Sequence, residues 1–186
     1  MTVEILNKPT SENVSEILNF IFPTGNNKKT FEEGNLLRQY FYFNYNFPDL
    51  LYMREEYGLI SRDCSFAVYI LQVSGYDLDV VSCTRHTRTE MTGFETGYTF
   101  IRLPTGPDKF EKWEYINNGI QVKCQSIRII GRINGKSKEM LQIKRDMCYQ
   151  DNDMVDRTVE YYLEGTGIYK ISFIQENNPI DMLPGY

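Results

Sequence analysis

The chain has few of the side chains on which common metal and redox centres depend. Its 186 residues include one histidine, one tryptophan and four cysteines. The cysteines are widely and irregularly spaced, without a CxxC pair or a ligand-like cluster; they are Cys64, Cys83, Cys124 and Cys148. A single histidine excludes a site built from several histidines. We therefore predict buried free thiols, no metal site and a reducing, cytoplasmic location.

Long apolar runs and an excess of positive charge are also absent. No segment approaches the roughly 18 apolar residues of a membrane-spanning helix, and the N-terminal segment lacks the features of a secretory signal. The net charge of −5 argues against a general nucleic-acid binder, because phosphate binding depends on excess Lys and Arg. We expect a soluble protein with no membrane span and no nucleic-acid partner.

Apolar and aromatic residues are abundant in the chain. The chain is 41% hydrophobic and 14% aromatic, which is enough for one packed core. No repeat or low-complexity segment interrupts it, so we predict a single domain over residues 1–186, with an irregular tail at 176–186.

One amphipathic helix is predicted near the start of the chain, over residues 11–22. Ser11 can cap it, and the apolar stripe of a helix follows at Val14, Ile17, Leu18 and Ile21. Segments 41–45 and 66–73 are apolar on both faces, so something must cover their outer sides. We expect the helix to do so, with a dimer interface as the alternative.

The rest of the sequence has the pattern of strands. Aromatic and β-branched segments alternate with Gly, Pro, Asn and Asp, over residues 36–47, 66–73, 78–86, 98–103, 110–116, 120–130, 137–149, 155–163 and 168–174. About nine consecutive strands with short links indicate an antiparallel sandwich or barrel. The absence of a long crossover favours an up-and-down β-barrel.

Two Asn-Gly pairs set the strand register. A two-residue turn at Asn118-Gly119 places Trp113 opposite Cys124 and Glu114 opposite Lys123, an opposite-charge pair worth roughly 0.2–1 kcal/mol. Farther along the strand, Ile127 and Ile129 are out of phase with Val122 and Cys124. They lie on the same apolar face only if the strand has a bulge near Gln125.

The second Asn-Gly pair leaves the register open. If the loop at Asn134-Gly135 is one residue longer than the simplest turn, Arg145 lies on the interior face. If the loop closes one residue shorter, Arg145 changes face.

An interior face that carries Arg145 predicts a ligand site. On the next strand the face with Val159 and Tyr161 also carries Arg157, so two arginines would point inward near one end of the barrel. A buried cation needs a carboxylate or an anionic ligand, and guanidinium groups bind carboxylate or phosphate in a fork. The apolar wall would comprise Trp113, Tyr115, Tyr161 and Tyr169. In the alternative, the arginines reach solvent or pair with Glu160 or Asp156.

The remaining polar motifs give weaker signals. His86 could act as an acid or base, although Cys83 lies on the opposite strand face and cannot form a dyad with it. Asp77-x-Asp79 and Asp151-x-Asp153 have carboxylates in turns, but neither continues into a calcium loop.

At the level of architecture the chain resembles the calycin or lipocalin-like proteins. Trp113, the only tryptophan, lies in mid-chain rather than in a Gly-x-Trp near the first strand. The architecture is similar to that of cytosolic lipocalin-type proteins, including bilin lyases that attach chromophores. Because a fold does not dictate a function, this resemblance leaves the activity open.

Three functions are consistent with these residues. The first is binding of a small apolar ligand with an acidic group, such as a fatty acid, an isoprenoid or a tetrapyrrole. The second is an enzyme that uses the same pocket, as an isomerase, a lyase or a chromophore transferase, with His86 or a glutamate moving protons. The third is a protein-interaction module, homodimer included, that uses the aromatic strand 40–47. The sequence indicates no particular cofactor.

Overall fold

The computed structural model describes residues 11–21, 28–33, 36–44, 50–59, 65–87, 90–93, 96–117, 119–149, 155–175 and 178–182. These residues form one helix, α1 (Ser11–Ile21), and thirteen strands. The strands are β1 (Lys28–Glu33), β2 (Leu36–Asn44), β3 (Leu50–Leu59), β4 (Ser65–Ser74), β5 (Asp77–His86), β6 (Met91–Gly93), β7 (Tyr98–Arg102), β8 (Phe110–Asn117), β9 (Ile120–Ile133), β10 (Lys136–Cys148), β11 (Val155–Leu163), β12 (Gly167–Gln175) and β13 (Asn178–Met182). None of the described helical residues forms a segment long and apolar enough to cross a membrane.

The strands form two antiparallel sheets. In the first sheet β1 to β6 follow chain order, and β7 also pairs with β5. In the second sheet the order is β13-β12-β11-β10-β9-β8. The all-β prediction and the succession of hairpins are confirmed. Within the described ranges no backbone ladder joins the two sheets, so the strands do not form one closed sheet.

The first Asn-Gly hairpin has the predicted register. Trp113 pairs with Cys124 and Glu114 with Lys123, and Gly119 has a φ of 75°, as a two-residue hairpin turn requires. Asn118 itself lies outside the described residues. The register from this turn fixes the inward face of β8 and of the first half of β9.

The second hairpin corrects two predictions. Its loop has only two residues, Asn134 and Gly135, both with positive φ, because Ile133 pairs directly with Lys136. No bulge occurs near Gln125, since the β8–β9 register continues without a shift. The missing bulge and the shorter loop each shift the alternation of faces by one residue, so the two errors cancel. Arg145 therefore lies on the inward face, opposite Cys124.

Polar residues on the inward face explain why a bulge was expected. With an unbroken register, Ser126 and Arg128 follow Cys124 on that face, while the apolar Ile127 and Ile129 lie on the outer one. Each inward polar side chain donates to a backbone carbonyl near β7, Ser126 to Arg102 and Arg128 to Pro104. Alternation of hydrophobic residues is therefore a poor guide to the face of this strand.

The helix lies in a different place from the one expected. It forms where predicted, but Ile17, Phe20 and Ile21 are buried in the core shared by both sheets, together with residues such as Val73 and Ile168. The helix therefore closes one end of the space between the sheets and does not cover the outer face of residues 66–73. The backbone N–H of Gly165 donates to the carbonyl of Asn19 and ties the β11–β12 turn to the helix.

The predicted irregular tail contains a strand. Residues Asn178–Met182 form β13 and pair with β12, with Ile180 opposite Phe173. Pro179 argues against a strand because it lacks an N–H, but this constraint is relaxed at a sheet edge, and β13 is the edge of the second sheet. Residues 176–177 and 183–186 lie outside the described residues.

We predict that Gly75→Ala destabilises the fold. Gly75 begins the two-residue turn closed by the Ser74–Asp77 pair and has a φ of 65°, where an L-residue costs roughly 1–2 kcal/mol. Urea unfolding followed by Trp113 fluorescence measures the change in free energy of unfolding.

Gly93→Ala is the matched control for this substitution. Gly93 is exposed, has no positive φ, and an added Cβ would meet no atom within 4 Å. We expect a change within about 0.5 kcal/mol. Equal effects of the two substitutions would contradict the assigned turn.

Candidate functional site

A buried ion pair lies on the inward face of the second sheet. Arg145 on β10 and Glu160 on β11 are only 6% and 7% exposed. Arg145 Nε donates to Glu160 Oε1 at 3.1 Å and Nη2 donates to Oε2 at 3.4 Å. The Tyr162 hydroxyl also donates to Oε2, at 2.9 Å. The buried carboxylate of Glu160 therefore accepts three hydrogen bonds, as a polar group in the interior requires.

The third nitrogen of the Arg145 guanidinium, Nη1, contacts residues of two other strands. Nη1 donates to the carbonyl of Phe100 at 2.9 Å and lies 3.6 Å from Cys124 Sγ, and the group stacks 4.6 Å from the centre of the Phe100 ring. Burial opposes the positive charge, yet the attraction of Glu160 leaves the pKa of Arg145 well above its ordinary value. Arg145 is thus a charged crosslink between β7, β9, β10 and β11.

Three further side chains of the second sheet bind the main chain of β7 and the loop after it. Trp113 Nε1 donates to the carbonyl of Thr99 at 2.8 Å, Ser126 Oγ to that of Arg102 at 2.6 Å, and Arg128 Nε to that of Pro104 at 3.0 Å. Because β7 belongs to the first sheet, these bonds join the two sheets where no backbone ladder does so. Ser126 is buried, and Trp113 and Arg128 are half-buried. Hydrogen bonds in such surroundings are electrostatically stronger than the same bonds in water.

Aromatic rings from both sheets lie beside the ion pair. Tyr98 stacks on Tyr115 with ring centres 4.2 Å apart, and Tyr69 lies 5.7 Å from Phe100. Burial raises the pKa of Tyr69 well above its ordinary value, raises that of Tyr98, and raises that of Tyr115 to about 12. Tyrosine hydroxyls are neutral at physiological pH even at their ordinary pKa, and burial keeps these three neutral further into alkali, so they can donate hydrogen bonds.

Polar residues occupy the inward face of the first sheet at the end away from α1. Glu55 on β3 is followed across the sheet by Ala67 and then by Arg85. The Tyr40 hydroxyl donates to Glu55 Oε1 at 3.2 Å. Burial raises the pKa of Cys83 to about 11, the charge of Glu55 adds to this rise, and the charge of Arg85 opposes it. Glu55 and Arg85 thus act on the same interior thiol with opposite signs.

Three of the predicted site residues come together. Trp113, Tyr115 and Arg145 face the space between the sheets, and all belong to or pack against the common core. Their shared face follows from the first Asn-Gly register. Their role in ligand binding stays a prediction.

The predicted inward position of Arg157 and Tyr161 is wrong. Arg157 pairs across the strands with Asp146 and donates to its carboxylate at 2.6 and 3.2 Å. Tyr161 accepts a hydrogen bond from Gln142 at 3.0 Å on the same outer face. The inward residues of β11 are instead Thr158, Glu160 and Tyr162.

Tyr169 and His86 also lie away from the ion pair. Tyr169 is the extra residue where the β11–β12 register shifts, and it is half-buried. His86 stacks on Phe66 with ring centres 4.6 Å apart and lies 3.2 Å from the hydroxyl of Thr84. This is the face of β5 opposite to buried Cys83, so His86 does not line the interior.

The acidic turn at Asp77 and Asp79 has partners within the protein. Arg102 donates to both carboxylate oxygens of Asp77 at 2.8 and 2.7 Å, and Thr99 donates to Asp79 at 2.9 Å. A surface concavity of about 300 Å³ lies beside this pair, where the two charges neutralise each other. No cluster of metal-binding side chains occurs in the described part of the chain; Asp151, Asp153 and Cys64 lie outside it. Cys83, Cys124 and Cys148 are free thiols.

Sequence reasoning missed most of the first-sheet contribution. Tyr69, Tyr98 and Arg85 were not assigned to the site, because no turn relates their strands to the second sheet. Glu160 was considered only as a surface partner. The opposite charges of Asp146 and Arg157 were a usable signal, since pairing them places Glu160 on the inward face.

We predict that Glu160→Gln costs about 3–5 kcal/mol, because it leaves the charge of Arg145 buried without a counter-charge. Asp146→Asn is the matched control, since it removes the carboxylate from the more exposed Arg157 pair and should cost about 1 kcal/mol or less. Replacing both partners, Arg145→Met with Glu160→Leu, should recover much of the loss. Urea unfolding measures all three. A Glu160→Gln cost no larger than that of Asp146→Asn would contradict a buried crosslink.

We also predict that stability falls in alkali. The folded pKa of Tyr115, about 12, lies above the ordinary value of 10.0, so its contribution is complete below about pH 10 and is lost as the pH rises toward the folded pKa. Tyr115→Phe should make this decline shallower. Unfolding free energies measured between about pH 9 and 12 test it, and an equally steep decline in the variant would refute it.

Comparison of the chain with protein-family models, curated proteins and solved structures finds no match. What the protein does is therefore inferred from the side chains between its two sheets.

Proposed function

We propose that the chain binds a small apolar ligand with an acidic group between its two sheets, in a lipocalin-like manner. One observation carries the proposal. The inward side chains of Tyr69 and Tyr115 pack against the common core from the two sheets, and both residues are only half-buried. Half-buried aromatic side chains on facing inner surfaces are typical of the wall of a small-molecule site.

The rings around this space favour an apolar ligand. Phe100 and Trp113, also half-buried, extend the wall formed by the tyrosines. Neutral tyrosine hydroxyls add a few polar contacts. A fatty acid, an isoprenoid or a tetrapyrrole has this combination of a large apolar body and an acidic group.

We choose Arg85 as the anchor for the acidic group because of its position at the edge of the interior. Arg145 is fully enclosed, with its guanidinium bound to Glu160 at 3.1 Å. Arg157 lies on the outer face. Arg85 lies on the inward row with Ala67, at the end of the interior away from α1, where a ligand could enter with its acidic group last.

Neither alternative function has an observation in its favour. Catalysis in the same space loses its histidine, because His86 stacks on Phe66 outside the interior. The aromatic strand 40–47, proposed for protein contacts, falls largely on side chains outside the described residues.

We predict that 8-anilinonaphthalene-1-sulfonate, which combines aromatic rings with a sulfonate, binds the folded protein. Arg85→Met should weaken its Kd at least about tenfold, equivalent to about 1.4 kcal/mol, because the sulfonate loses its counter-charge. Arg157→Met, the matched outer-face control, should leave Kd unchanged. Fluorescence titration gives Kd, and near-ultraviolet circular dichroism verifies that each variant keeps its packed aromatic rings.

Native mass spectrometry of the freshly purified protein gives a second test. The expected result is a retained apolar acid that Arg85→Met loses and Arg157→Met keeps. The proposal is contradicted if the protein carries no ligand and also fails to bind the naphthalene dye, or if the two variants bind the dye equally.

A further inference from the structure

The tip of the β9–β10 hairpin extends past both neighbouring strands. Pairing of β8 with β9 ends at Phe110–Ile127, and pairing of β11 with β10 ends at Leu163–Met140. Within the described residues, 130–139 therefore have ladder partners only in each other. We call residues 130–139 the ribbon.

The ribbon is anchored at its base. Arg128 Nη1 lies 2.7 Å from Glu16 of α1 and 3.4 Å from Glu139. At the tip, Asn134 and Gly135 have φ values of 49° and 76°, as the two-residue turn with matching strand twist requires. An isolated two-stranded hairpin is marginally stable in water, so this anchor and turn hold the ribbon in a defined direction.

The exposed side chains of the ribbon combine positive charge with one large apolar group. Arg132, Lys136 and Lys138 are exposed, and none forms an ion pair with another part of the chain that the structure describes. Ile130 is 73% exposed. The only carboxylate, Glu139, faces Arg128. The ribbon is thus a basic projection on a chain of net charge −5.

We propose that the ribbon is a docking site for an acidic protein surface, with Ile130 as its apolar contact. Positive charge on a projecting element of an acidic protein steers and orients a partner of opposite charge. By the strand register, Ile130 and Arg132 lie on one face of the ribbon, and Lys136 and Lys138 lie on the other. A partner that contacts both faces therefore meets the apolar side chain and all three cations, a mixture of apolar and polar groups that is typical of small protein interfaces.

Other occupants fit less well. Three cations and no aromatic ring are few for nucleic acid, which requires many phosphate contacts or stacking platforms. Two copies of the chain repel each other through their net charge of −5. An acidic partner protein satisfies the charge and the apolar group together.

The test uses the full, isotope-labelled chain and a synthetic peptide of repeated Glu-Glu-Phe triplets. Amide chemical-shift changes should be confined to the ribbon and its base and should diminish as salt is added. The charge reversal Arg132→Glu, Lys136→Glu, Lys138→Glu should weaken the peptide Kd at least about tenfold, and Ile130→Ser should weaken it as well.

The matched control reverses the charge of three exposed lysines outside the ribbon, by the substitutions Lys109→Glu, Lys112→Glu and Lys123→Glu. It makes the same change in net charge and should leave the peptide Kd near the wild-type value. Equal weakening by both triple variants would overturn the proposal, as would shift changes outside the ribbon or tighter binding of duplex DNA than of the peptide. A wild-type dimer that the ribbon reversal dissociates, seen by sedimentation, would replace the acidic partner with a second copy.

Discussion

The Arg145 guanidinium is the contact on which the interior of this protein depends. It binds Glu160 within its own sheet and the carbonyl of Phe100 in the other sheet, at 3.1 and 2.9 Å. A buried arginine is tolerated only when its charge and its donors are matched. That requirement couples the positions of β7, β10 and β11, because each of these strands supplies one of the groups that must meet at the guanidinium.

The same requirement explains why two separate sheets enclose one core. Trp113, Ser126 and Arg128 repeat the pattern of Arg145, each donating from the second sheet to a carbonyl of β7 or the loop after it. Directional side-chain bonds therefore substitute for a backbone ladder between the sheets. The apolar residues of α1 then close one end of the space between the sheets.

The parts of this arrangement that follow from local chemistry could be predicted from the sequence. The Asn118-Gly119 turn gave the partners of Trp113 and Glu114 because it fixes pairing over a short distance. The face of Arg157 could not be obtained in that way, because the sequence of residues 151–153 does not specify the length of a turn. The apolar pattern of Val155, Val159 and Leu163 also suggested the wrong face. The meeting of Tyr98 with Tyr115 depends on how one sheet packs on the other, which no local pattern encodes. Ser126 and Arg128 show the same limit, since their inward positions make sense only once the β7 carbonyls are present.

The central claim is that an apolar acid binds among the inward rings and not on the outer faces of the sheets. Intermolecular nuclear Overhauser effects between 8-anilinonaphthalene-1-sulfonate and the protein test this most directly. The account predicts contacts from the dye to the rings of Tyr69 and Tyr115 and none to Tyr161, which lies on the outer face of the second sheet. Contacts to Tyr161 without any to Tyr69 or Tyr115 would contradict it.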